Sequence, residues 1–293
     1  MTIVYSARYR VDIGPHVFPT QKYGLIAERV GGPFVEPAAA TWEELALVHT
    51  PDYLAKMRDG TMTADDTAEL ELPWSREMVD AFRLMVGGTV QAARIACGLE
   101  DRRLAVHIGG GLHHAFPNHG EGFCPFNDVA VAARVLQREG VERIAIVDLD
   151  VHHGNGTAFI FESDPRVFTF SMHQQHNYPM WKPRGALDIG LPDGAHDETF
   201  LRELDRALPI VMAHNPQCVF YLAGADPYED DQLGGLRLTK DGLRRRDRRV
   251  IETVTGAAVP LVIVLAGGYA RRVEDTVAIH TATIQEAECL SHI

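Results

Sequence analysis

The 293-residue sequence has only four cysteines, Cys97, Cys124, Cys218 and Cys289, and no two of them form a CxxC pair. That scarcity excludes a disulfide framework and a thiolate zinc site, and it suits a reducing, cytoplasmic setting. No apolar run approaches the roughly 20 residues that a membrane-spanning helix needs. The opening MTIVYSARYR lacks a basic segment followed by an apolar core, so no secretory leader is expected. Basic residues are also in deficit: 28 Lys and Arg stand against 40 Asp and Glu, for a formal net charge of -12. Such a surface repels phosphates at long range, which argues against direct nucleic-acid binding and makes basic or neutral substrates easier to accommodate. The one basic cluster, RRRDRR at 244–249, falls in a helical pattern, contains an acidic residue, and reads as a solvated helix face. No internal repeat, low-complexity tract or linker divides the chain.

What is present is an ordinary globular composition, 46% hydrophobic and 23% charged, and the simplest expectation is one domain over residues 1–293. Short apolar runs read as strands at 3–5 (IVY), 104–108 (LAVHI), 144–148 (IAIVD), 167–171 (VFTFS), 218–223 (CVFYLA) and 261–266 (LVIVLA). Most are continuous rather than alternating, as in strands covered on both faces. Helical patterns lie between them, at 75–97 and at 127–140, the second with Asn127 as N-cap and Gly140 as C-cap. Strands alternating with helices imply an α/β fold, a central, mostly parallel sheet flanked by helices on both faces.

In such sheets function gathers beyond the strand C-termini. Here LAVHI runs into GGGLHHAFPNHGEGF, IAIVD into LDVHHGNG, VFTFS into MHQQHNY, CVFYLA into GADPYEDD and LVIVLA into GGYARR. In an extended segment Asp148, Asp150 and His152 face one way, and crowded carboxylates in a dry site call for a cation. Mixed oxygen and nitrogen donors suit zinc or another first-row divalent metal, with three protein ligands and one open position; Asp226, at another strand end, is the distant third ligand. His113 and His114 follow three glycines, and a histidine beside activated water can take its proton and return it to a leaving amine. Tyr269, after a Gly-Gly turn, can donate to a developing oxyanion.

These residues carry a resemblance. IGGGLHHA at 108–115, GFCPFNDVAVA at 122–132, VDLDVHHGNGT at 147–157, LAGADPYEDDQLGGLRLT at 222–239 and AGGY at 266–269 resemble, in order, the motifs of the zinc-dependent histone deacetylase family, and WEELALVHTPDYL at 42–54 resembles its N-terminal signature. The compact length is similar to that of bacterial relatives near class IV. The resemblance implies an arginase/deacetylase fold and hydrolysis of an acyl amide on a lysine-like amine. Carried over by position, Asp150, His152 and Asp226 would bind Zn2+, with Fe2+ a possible occupant, and His113 and His114 would flank the water. Asp148 matches the carboxylate that orients the first histidine. Asn155 stands where class I members have Asp, which leaves His114 without a carboxylate partner and more readily neutral. Tyr269 would polarise the acyl carbonyl, Gly122, Phe123 and Tyr178 would line the acyl-lysine tunnel, and Gly267 and Gly268 would border the substrate. A structural K+ site would draw on Asp148, Asp150, His152, Ser171 and Met172.

The remaining polar residues read as ordinary. His16, His49, His107, His119, His173, His176 and His196 suit hydrogen-bonding or surface roles, His153 supports the loop, Asp230 and Asp231 brace the loop after Asp226, and Cys124 packs. Three functions remain in view: a deacylase acting on acyl-lysine proteins or peptides, an amidohydrolase of small acylated amines such as acetylpolyamines, and a non-catalytic acyl-lysine-binding module. The presence of metal ligands, histidine pair and tyrosine together speaks against the last.

Overall fold

The computed structural model describes residues 1–98 and 103–291, so residues 99–102 and 292–293 of the expected domain lie outside the described residues. Seven strands, β1 (Thr2–Val4), β2 (Leu104–His107), β3 (Ile144–Asp148), β4 (Val167–Gln174), β5 (Leu187–Leu191), β6 (Cys218–Leu222) and β7 (Leu261–Val264), form one sheet in the order β1-β2-β7-β6-β3-β4-β5. Every pairing is parallel, a stricter arrangement than the mostly parallel sheet expected. Each residue of β2, β3, β6 and β7 is buried, which is why those segments read as unbroken apolar runs.

Strand β5 is the one strand of the sheet for which the sequence carries no expectation. It is one of the sheet's two outer strands, its first four residues alternate between half-buried and exposed before the buried Leu191, and Asp188 and Gly190 interrupt its apolar pattern. Strand β4 runs three residues past the expected end, so Met172 and His173 belong to the sheet rather than to the loop.

The helix Arg76–Cys97 packs on β1, β2 and β7 and against the helix Asp128–Arg138; Val273–Leu290 lies against Lys22–Val30 and Lys240–Gly256, which in turn packs on Asp197–Ala213. Two helical layers thus sandwich the sheet. Ser75 caps the first helix by accepting the N–H of Met78 at 3.0 Å, and Asn127 caps Asp128–Arg138 through the N–H of Ala130 at 3.0 Å. Glu139, not Gly140, is the C-cap of that helix; Gly140 follows with φ +97°, reversing the chain one residue later.

The basic cluster also departs from expectation. Arg246 and Asp247, in the helix Lys240–Gly256, are fully buried rather than solvated. The Arg246 guanidinium donates to Asp247 Oδ1 at 2.7 and 2.9 Å and to the Gly224 carbonyl at 2.6 Å, beneath the loops beyond β3 and β6. Its neighbours Arg244 and Arg248 pair with Glu286 and Arg249 with Asp205, so only part of the cluster faces water. Among the described residues no helix is long and apolar enough to cross a membrane.

Candidate active site

A parallel sheet puts the C-termini of β2, β7, β6, β3 and β4 on one edge, and their loops converge there. Beyond β3 the chain crimps rather than running straight. Asp148 Oδ1 accepts the N–H of Asp150 at 3.2 Å, and Asp150 Oδ1 accepts the N–H of His152 at 3.0 Å. These carboxylate-held turns aim both Asp150 and His152 inward. From β6, Asp226 arrives with Oδ1 accepting the N–H of Val151 at 2.9 Å, and from β7 Gly267 donates its N–H to Asp150 Oδ2 at 2.9 Å. No side chain fits at Gly267, because a Cβ there would lie 2.0 Å from Asp226 Oδ2.

One donor atom from each of Asp150, His152 and Asp226 lies within 4.8 Å of the others, and all three residues are buried. Asp226 Oδ2 is buried with no hydrogen-bond partner; His152 Nδ1 is 3.5 Å away, a charge contact only. Burial and the neighbouring Asp150 push the Asp226 carboxyl up to about 7. His152, which burial alone would lower, is raised to about 10 by Asp150 and Asp226. Repelling carboxylates, an orphaned oxygen and an imidazole fit a divalent cation of the zinc type. A second set with ligand-like spacing, Glu69, His119 and Glu121, is more exposed, and its members pair with one another.

The histidine pair is electrostatically unequal. His113 Nδ1 lies 2.7 Å from Asp148 Oδ2, and although burial lowers its pKa, Asp148 and Asp150 lift it to about 9. His114 is held well below the usual imidazole range by burial and by the charges of His113 and His152. The two Nε2 atoms are 3.1 Å apart. His114 Nδ1 lies 2.6 Å from Asn155 Oδ1, but Asn155 does not isolate it from carboxylates: the Asn155 amide donates onward to Glu121 Oε1 at 2.8 Å. Two glycines let the histidine segment reach this place. Gly111 adopts φ +79° against Ala266, and Gly154 leaves space for the His113–Asp148 pair, since a Cβ there would stand 2.4 Å from Asp148 Oδ2.

Tyr269, Phe123, Tyr178, Gly122, His114 and His152 line one cavity of about 180 Å³, together with Glu71, Asn177 and Leu233. The Tyr269 phenol is pushed far up by burial and by Asp150 and Asp226, so it stays protonated and can donate. Its N–H is held by Asp231 Oδ2 at 2.7 Å, while Asp231 Oδ1 takes the N–H groups of Leu233 and Gly234. Phe123 sits at φ +67°, a left-handed conformation that a bulky side chain rarely adopts, and its ring meets Phe18, Tyr269 and His16. Tyr178 stands edge-on to His114 at 5.0 Å and donates its hydroxyl to Glu121 Oε1 at 2.7 Å. Gly268 has φ +146° and lies outside this lining.

Asp148 and Ser171 are register partners on β3 and β4, Met172 follows, and Gln174 N–H donates to the Val151 carbonyl at 2.9 Å, so the residues expected at the potassium site share the β3–β4 seam. His153 turns away from the cavity, with Nε2 3.3 Å from Asp188 Oδ1. Cys124 is buried, and burial pushes its thiol far up, against a nucleophilic role.

Three residues near the site had no sequence reading. Lys22 is fully buried, donates to the Ala266 carbonyl at 2.8 Å, and is pushed down to about 8 by burial among the rings of Phe18, Tyr23 and Tyr269. Glu71 lines the cavity while exposed. Glu121 binds both Asn155 and Tyr178, and its only sequence signal is a carboxylate directly before the Gly-Phe pair.

A family model described as the histone deacetylase domain matches residues 16–284. An uncharacterized protein of Picosynechococcus is 42% identical to this chain over 293 residues, covering 95% of each. Histone deacetylase 2 of Arabidopsis thaliana is 31% identical over 291 residues, covering 92% of this chain and 74% of its own. Among solved structures, the HD domain of HDA15 superposes with a TM-score of 0.83 at 25% identity, covering 98% of this chain and 91% of that one.

Proposed function

The chain belongs to the histone deacetylase family, and from that premise we infer that it is a zinc-dependent amidohydrolase removing an acetyl or related acyl group from the ε-amine of lysine in proteins or peptides. The observation that carries the reading is the meeting of Asp150, His152 and Asp226 with the unequal pair His113 and His114 beside Tyr269, at the cavity that Phe123 and Tyr178 wall. The family is metal-dependent; Asp150, His152 and Asp226 would hold the ion, which when bound lowers the pKa of water and polarises a carbonyl.

The chain's own groups then divide the work. His114, kept neutral, accepts the proton of the attacking water at Nε2. His113, kept protonated by Asp148 and Asp150, supplies a proton to the departing amine. Tyr269 donates its hydroxyl to the acyl oxygen as negative charge develops. Phe123 and Tyr178 exclude water from the alkyl chain, Gly122 permits the close wall, and the backbone of Gly267 closes the floor, with Gly268 behind it. By the same resemblance K+ belongs at Asp148, Asp150, His152, Ser171 and Met172, residues 1–293 act as one domain, and the four unbridged cysteines fit a cytoplasmic setting.

A second reading, hydrolysis of small acylated amines such as acetylpolyamines, is favoured by one feature: exposed Glu71 on the cavity wall could receive a distal ammonium. Steady-state kinetics on acetyllysine peptides beside acetylputrescine and acetylspermidine separate the two, with metal content measured before and after chelation. Peptide turnover that vanishes on chelation and returns with Zn2+ is expected. Peptide rates far below the polyamine rates would transfer the assignment to the second reading, and a metal-replete protein that binds acyl-lysine without turnover would make it a binding module.

A further inference from the structure

Asn155 presents a question of orientation. Its amide lies between His114 Nδ1, 2.6 Å from Oδ1, and Glu121 Oε1, 2.8 Å from Nδ2. An ionised carboxylate only accepts, so the amide must turn its NH2 towards Glu121 and its oxygen towards His114. An amide oxygen only accepts as well, so His114 must carry its proton on Nδ1. Nε2 is left as the lone-pair nitrogen, and it faces His113 Nε2 at 3.1 Å, which must therefore donate. The donors then run in two directions from His113: through Nδ1 to Asp148 at 2.7 Å, and through His114 and Asn155 to Glu121.

We propose that Glu121 is a positioning residue of the deacylation reaction, fixing through Asn155 the tautomer that keeps the lone pair of His114 on Nε2, where it meets the His113 proton at rest and accepts the water proton in the reaction. The proposal rests on the deacylase reading and assigns the second histidine its own carboxylate at one remove. Glu121 also takes the Tyr178 hydroxyl at 2.7 Å, so one carboxylate sets both the base and the adjoining tunnel wall. It is well placed to do so. Its other oxygen lies 3.4 Å from His119 Nε2, outside the cavity lining, which leaves the pair at Oε1 turned towards the site. Replacement by glutamine preserves shape but supplies a donor of its own, so the Asn155 amide would no longer have one enforced orientation.

The test is E121Q in the metal-replete full chain, read by kinetics and by 15N shifts of the histidine rings. The wild type should show a protonated Nδ1 and a bare Nε2 at His114; E121Q should show a mixture, with kcat down about 10–100-fold, the usual range for a supporting partner of a site ligand or base, and KM little changed. Tyr178→Phe, which removes only the tunnel-wall bond, should leave the His114 tautomer as it was. The double variant E121Q with Asn155→Asp should restore kcat, because the introduced carboxylate accepts directly from His114 while the introduced amide donates to its other oxygen. An E121Q protein with wild-type kcat and unchanged His114 shifts would overturn the proposal, as would a double variant no faster than E121Q. An inactive wild type would sink the deacylase reading instead, and the ring shifts would still decide whether Glu121 sets the tautomer.

Discussion

The backbone N–H of Tyr269 is donated to Asp231 Oδ2 at 2.7 Å, and the other oxygen of the same carboxylate holds the N–H groups of Leu233 and Gly234 at 2.8 and 3.0 Å. One side chain therefore ties the loop beyond β7 to the loop beyond β6. Asp231→Ala should release both, with turnover reduced about 10-fold or more through loss of Tyr269 placement and metal content unchanged. Equal kcat in that variant, measured beside its bound metal, would show that Tyr269 needs no such anchor.

Removal of the Tyr269 hydroxyl itself should be costlier. Tyr269→Phe is expected to lower kcat by ~10²-fold or more, the range for loss of an oxyanion donor. Metal content and thermal stability should stay at wild-type levels, since the ring keeps its contacts with Phe123 and Phe18.

Metal affinity should tighten as pH rises. In the metal-free site His152 keeps a proton up to about 10 and Asp226 up to about 7. Both protons must leave before the ion enters, so binding releases protons. The apparent affinity should therefore grow roughly tenfold per pH unit for His152 alone, and faster below about pH 7 where Asp226 is also protonated. Competition with a chelator across that range checks the slope; a flat profile would mean that neither His152 nor Asp226 holds a proton in the metal-free site over that range.

Arg246 gives a stability prediction. Its substitution by alanine leaves Asp247 buried without its guanidinium and frees the Gly224 carbonyl. Breaking a buried charge pair from one side costs about 3–5 kcal/mol. Denaturant unfolding of Arg246→Ala should show a loss of that size, and metal retention should weaken too, because Gly224 lies two residues before Asp226.

The sheet was legible wherever a strand is covered on both faces, since β3, β6 and β7 have no choice but continuous apolar sequence. Strand β5 was not, because an edge strand with Asp188 and Gly190 looks like a loop when read alone. The meeting of Asp150 and His152 with Asp226 could be anticipated from strand ends in a parallel sheet. Residues that act through distant partners could not. Lys22 bonds a carbonyl 244 positions away, and an arginine in a basic run gives no sign that helical geometry turns it inward. Asn155 was read as the absence of a carboxylate because Glu121 lies 34 residues earlier, across a loop whose path only the fold determines.

The order of the strands separates the centre of the site from its margin. Asp150, Asp226 and Tyr269 follow β3, β6 and β7, three neighbouring strands in the middle of the sheet, whereas Tyr178 hangs between β4 and β5 at its margin. Segment 175–186 can thus be lengthened, shortened or recomposed with little disturbance to the central strands. The wall that Tyr178 lends to the cavity therefore belongs to the margin of the sheet, whereas Asp150, Asp226 and Tyr269 are seated on its middle strands.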